Sequence, residues 1–141
     1  MDITVSKDCY LKLFTIATDE AQKRKEAAAV LFGTEHSIDT CKKYHSDRSS
    51  GAVVEWNSQE DFVNILNEVS LRGIFHSHLF PSCSPSGTDM AVMRGLTRWA
   101  IMMEKPTLFF VIGGFWGKEL KLIVWEMNKN FKLDHRNIIW V

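Results

Sequence analysis

The chain has 141 residues, 45% of them hydrophobic, which suffices for one domain with a real core and not for two. Seventeen basic residues balance seventeen acidic ones, so no net field draws the protein to nucleic acid or to an anionic membrane. Neither the start, Met1-Asp2-Ile3-Thr4-Val5, nor any later apolar run has the make-up of a leader or of a bilayer-spanning segment, so a soluble cytoplasmic protein is expected. Cys9, Cys41 and Cys83 form no CxxC pair and are odd in number, which suits free thiols in a reducing compartment.

In chain order, residues 3–5 predict a short strand, and Leu11, Phe14, Ile16 and Ala17 predict an amphipathic helix over about Lys7–Lys23. Glu26 to Gly33 (EAAAVLFG) is helical in its alanines, but its Val30-Leu31-Phe32-Gly33 ending and its place after a full helix favour a buried strand. Ser37 to Glu55 is mixed and polar with a turn at Ser49-Ser50-Gly51, which predicts a hairpin or meander. Ser58 then caps a second helix carrying Phe62, Ile65, Leu66 and Val69 at helical spacing and ending before Gly73.

Gly73-Ile74-Phe75-His76-Ser77-His78 reads as a central strand with its histidines at the mouth, and Leu79 to Pro85 as a loop. Ser86-Gly87-Thr88-Asp89 opens a third helix reaching about Met103. Leu108–Ile112, Leu120–Met127 and Ile138–Val141 predict strands joined by turns at Gly113-Gly114 and Asn128-Lys129-Asn130.

Residues two apart on a strand point to one side, so His76 and His78 can aim both imidazoles at one point while Ser77 faces away. Two imidazoles suit zinc, and Asp89 can add an oxygen ligand while leaving a fourth position for water. The bland alternatives are two polar residues at a strand end and a Ser86-x-x-Asp89 helix cap. Glu26, after Lys23-Arg24-Lys25, is the candidate general base, with Glu35 and Glu55 in reserve. Cys83 reads as an incidental loop thiol, the tryptophans as core or core rim, and His36, His45 and His135 as lacking partners.

The spacing His76-x-His78-x7-Ser86-x2-Asp89 resembles the H-x-H-x7-S-x2-D signature of the JAMM (MPN+, JAB domain) metalloproteases. Glu26 to Gly33 is similar to the family's upstream E-x-x-x-x-L-x-G, and the resemblance runs from Ile3 to Met127. Leu79 departs from it, since the family has proline after the second histidine. The resemblance implies an α/β fold of the α+β type, a curved mixed sheet flanked by helices in a JAB/MPN-like, cytidine-deaminase-like architecture. It also implies one catalytic Zn2+ on His76, His78 and Asp89, with Glu26 as base and Ser86 stabilising the oxyanion.

The implied substrate is a ubiquitin-like protein or its conjugate, cut after the modifier's C-terminus. The small size fits a minimal stand-alone prokaryotic-type member. Two other readings stay open: hydrolysis of small amides or of amino-acid adducts on a sulfur-carrier protein, and a non-catalytic scaffold subunit.

Overall fold

The structure is a computed structural model and describes residues 2–44 and 59–141. Its elements are β1 (Asp2–Val5), α1 (Lys7–Gln22), β2 (Ala28–Thr34), β3 (Ser37–Tyr44), α2 (Gln59–Leu66), β4 (Leu71–Ser77), α3 (Gly87–Met102), β5 (Phe109–Trp116), β6 (Glu119–Met127) and β7 (Leu133–Trp140). The turn expected at Ser49-Ser50-Gly51, together with His45, Glu55, Trp56 and Ser58, lies outside the described residues.

The strands run β1-β3-β2-β4-β5-β6-β7 and close into a barrel, which corrects the expected curved sheet. Closure depends on β1, which pairs in parallel with β7 from Asp2↔Asn137 to Val5↔Trp140 and with β3 at Thr4↔Ser37 and Val5↔Ile38. A four-residue strand thus joins two edges that would otherwise expose unpaired backbone. Its burial pattern does not reveal that it has a partner on either side.

Two apolar clusters sandwich the strands. The first unites Leu13, Ile16 and Ala17 of α1 with Leu31, Phe75, Val111 and Val124; the second unites Leu66 of α2 and Met93 and Leu96 of α3 with Val30, Phe110 and Ile112. Alternate residues of β5 therefore enter opposite clusters, and a strand covered on both faces reads as the continuous run Phe109-Phe110-Val111-Ile112. Ala27 and Ala29 lie in the α1-side cluster. Two of the three alanines that read as helical are therefore buried small residues in and beside a strand, where tertiary burial outweighs propensity.

Four details differ from expectation. The buried stripe of α1 is Cys9, Leu13, Ile16, Ala17 and Glu20 with Phe14 packed beside it, so Ile16, Ala17 and Phe14 face the core as expected and Leu11 alone of the expected stripe is exposed. Val69 lies beyond α2 and is 98% exposed. Leu133 to Asn137, polar in sequence, belong to β7, because β6 and β1 supply its backbone partners.

Gly113 and Gly114 are not a turn but interior residues of β5, whose turn into β6 lies at Gly117-Lys118. A Cβ on Gly114 would lie 2.6 Å from the Ser82 carbonyl oxygen, so the glycine is needed for close approach. Among the described residues no helix is long and apolar enough to cross a membrane.

The end of α1 is tied to β3 by Glu20, a nearly buried carboxylate 2.8 Å from Lys43 Nζ and 3.5 Å from Lys23 Nζ. The Lys43 bond holds the Glu20 carboxyl below its ordinary value of 4.5. A lowered folded-state value means that the stabilisation is complete above the unfolded-state value and is lost as pH falls through the folded one. Glu20→Gln is expected to cost roughly 0.5–1 kcal/mol at pH 7, both lysines being partly solvated. Urea unfolding at pH 7 and pH 3 checks this, with the difference between parent and variant shrinking at the lower pH.

Candidate metal centre

β4 lies between antiparallel β2 and parallel β5, and Ala28↔His76 and His76↔Ile112 are in register. Ser77, fully buried between the two histidines, donates its N–H to the Ala27 carbonyl at 3.1 Å and accepts the Ala27 N–H on Oγ at 2.9 Å. Those two bonds hold the residue next to Glu26 against β4. The placement of Glu26 beside His76 thus follows from strand pairing.

His76 Nε2 lies 3.1 Å from Asp89 Oδ1, and His78 Nε2 lies 3.2 Å from Asp89 Oδ2. One donor atom from each of the three residues falls within a 4.8 Å span, close enough for one ion to touch all three. Glu26 Oε1 stands 3.9 Å from His76 Nδ1, beyond hydrogen-bond range and within reach through one water.

Ser86 is the N-cap of α3. Its Oγ accepts the Asp89 N–H at 3.1 Å, and its own N–H donates to Asp89 Oδ2 at 2.8 Å, a reciprocal capping box. The capping reading of Ser86 and Asp89 is therefore present in the fold, and it aims the Asp89 carboxylate at both imidazoles. A hydroxyl that accepts one bond still has its hydrogen to donate, so capping leaves Ser86 able to serve a ligand.

The donor chemistry fits a cation. His78 Nδ1 is 3.0 Å from the Ser82 carbonyl, which can only accept, so Nδ1 carries the hydrogen. In a neutral ring Nε2 then presents its lone pair to a carboxylate oxygen, and two facing acceptors need either a proton or a cation between them. Burial holds His76 below its ordinary 6.5, against the opposing pull of Asp89, which favours the neutral ligand form. Burial first and the charge of Asp89 second push Glu26 up to about 8.

Glu35, a reserve base, sits at the other end of β2, where its carbonyl accepts from Arg72 Nη2 at 3.1 Å. Cys83 is a free thiol in the loop, buried, and its Sγ–H donates to the Lys121 carbonyl at 3.2 Å. His135 has a neighbour after all, its ring set edge-on to Trp125 at 6.1 Å. Trp99 and Trp125 pack at the rim of the second cluster as expected, while Trp116 and Trp140 are each 40% exposed.

Three neighbours of the site had no role assigned from the sequence: Ser77, Ser82 and Phe80, whose half-exposed ring stacks on His78 at 4.9 Å and 15°. Only Ser77 carried a signal, as the inward residue of a His-x-His strand. The other two depend on the path of a loop.

No family model matches the chain, and no curated protein does. Among solved structures, protein DSY2949 from Desulfitobacterium hafniense aligns with a TM-score of 0.68 at 19% identity, over 99% of this chain and 92% of that one. AF2198 from Archaeoglobus fulgidus, a JAB1/MPN domain protein, aligns at a TM-score of 0.53 and 14% identity, over 97% of this chain and 99% of that one. The chain shares its fold with a JAB1/MPN domain protein. Within this JAB1/MPN-like fold, His76, His78 and Asp89 form a group able to hold a metal ion, at the end of a central strand and the start of the following helix.

Ser86→Ala removes one half of the capping box and is expected to lower stability by about 1 kcal/mol with or without metal, as read by thermal unfolding of both forms.

Proposed function

We propose that the chain is a zinc-dependent peptidase that hydrolyses amide bonds, with His76, His78 and Asp89 as ligands, Glu26 as the proton-transfer group and Ser86 as an oxyanion donor. The observation that carries this reading is the convergence of two imidazoles and one carboxylate beside a second, buried carboxyl that makes no bond to them. A purely structural cluster gains little from Glu26 in that place, since a buried carboxyl 3.9 Å from His76 Nδ1 has no direct hydrogen bond to the cluster to offset its burial.

When bound, zinc supplies a Lewis acid for the scissile carbonyl, a water whose pKa falls to about 7, and a positive charge that favours the ionised form of Glu26. Glu26 in that form accepts a proton from the attacking water. A carboxyl whose pKa lies near neutrality is suited to return the same proton to the departing amine. The Ser86 hydroxyl, still holding its hydrogen while it caps α3, donates to the oxygen on which negative charge develops. Asp89 has its orientation set by the Ser86 N–H and is ready to act before substrate arrives.

The proposed substrate is a ubiquitin-like protein or its conjugate, cut after the modifier's C-terminus at an isopeptide or peptide bond. The spacing of His76, His78, Ser86 and Asp89, with Glu26 upstream, supports this choice through its likeness to the JAMM signature. A panel of diglycine-terminated conjugates and small amides, incubated with and without chelator and read by mass spectrometry, tests it. Chelator-sensitive release of the amine from the conjugates is expected. Release from small amides alone would move the assignment to amide hydrolysis.

The purified protein is expected to hold about one zinc per chain by elemental analysis. Glu26→Gln should keep that zinc while hydrolysis falls by at least about a hundredfold. A variant as active as the parent would remove Glu26 from the reaction, and a zinc-free parent would leave the scaffold reading.

A further inference from the structure

The loop that carries His78 into α3 is fastened to the β5–β6 hairpin at several points. The His78 N–H donates to the Gly113 carbonyl at 2.7 Å. The Ser82 backbone lies against Gly114, where a Cβ would come within 2.6–2.9 Å of Ser82 O, C and N. The Cys83 thiol donates to the Lys121 carbonyl at 3.2 Å, and the Trp125 indole Nε1–H donates to the Cys83 carbonyl at 2.9 Å. Between these fastenings the Ser82 carbonyl receives Nδ1–H of His78.

The loop has no regular structure of its own, so the Ser82 carbonyl has no helix or sheet ladder to fix it. Pro81 and Pro85 restrict its backbone but offer no N–H to anchor it. Its orientation comes from the hairpin. The bulk of Trp125 belongs to the second apolar cluster, so its ring has a packing role, while its N–H is directed at the loop.

We propose that Trp125 and Gly114 are positioning residues for the metal centre, setting the Ser82 carbonyl that fixes the ring orientation and tautomer of His78. This inference rests on the zinc reading above. Trp125 supplies the bond that holds Cys83 in place beside Ser82, and Gly114 supplies the room for the Ser82 backbone. Neither residue touches the ligand atoms, and neither belongs to the spacing pattern that marks the ligands.

The test measures zinc affinity by competition with a chromophoric chelator, the absorption spectrum of the cobalt-substituted protein, and the melting temperature of the metal-free protein. The full chain is used as parent, Trp125→Phe, Gly114→Ala and Tyr10→Phe. Tyr10→Phe is the control: it deletes a comparable side-chain bond, from Tyr10 Oη–H to the Leu120 carbonyl at 2.7 Å, on the same hairpin.

Trp125→Phe and Tyr10→Phe are both expected to lower the melting temperature by a few degrees. Only Trp125→Phe should weaken zinc binding, by about tenfold or more, and shift the cobalt spectrum. Gly114→Ala should weaken zinc further, and it gives a second measure of the same contact should Trp125→Phe not fold.

Parent-like affinity in a folded Trp125→Phe or Gly114→Ala protein overturns the proposal. So does equal weakening by Tyr10→Phe, which would mark a general loss of stability. A parent that binds no zinc overturns the underlying reading, and this inference with it, and so is distinguishable from the variant results.

Discussion

β4 is hydrogen-bonded on both sides, and the rest of the site depends on that constraint. Its antiparallel register with β2 sets Ala28 opposite His76 and so places Glu26 beside the imidazole. Its parallel register with β5 sets Ser77 opposite Gly113, at the hairpin on which the following loop rests. A strand shifted by one residue would turn Ser77 toward the site and both histidines away from it. Phe75, wholly buried in the first cluster, opposes such a shift because it would have to give up its apolar surroundings.

Capping and metal binding draw on the same atoms. The Asp89 carboxylate closes a capping box with Ser86 through Oδ2, the same oxygen that faces His78, while Oδ1 faces His76. The helix start is thus part of what orients a ligand, and the two readings of Ser-x-x-Asp do not exclude each other. Phe80 adds an aromatic face over His78 from the loop, at a position where the JAMM-like pattern specifies no residue type.

The barrel and its two clusters hold these parts through burial on both faces. Helix α1 covers one side of the strands and α2 and α3 the other, and β5 contributes alternate residues to each cluster. β1 joins β3 to β7 and closes the ring. The likeness to AF2198, a JAB1/MPN domain protein, spans nearly the whole of both chains at 14% identity, which is fold without close sequence.

Most helices and strands were legible in the sequence from local signals: a three-to-four period in α1, a capped start in α3, a bulky apolar run before His-x-His in β4, and an unbroken apolar run in β5. The spacing from His76 to Asp89 was legible for a local reason too, since a strand end, a short loop and a helix start allow those residues to meet. The closure through β1 was not, because four residues carry no mark of which strands flank them. Nor were the strand positions of Gly113 and Gly114, whose lack of side chains answers to a loop more than thirty residues away. The burial of Cys83, the stacking of Phe80 on His78 and the Trp125 bond likewise depend on where that loop lies over β5 and β6, and only packing in three dimensions decides that.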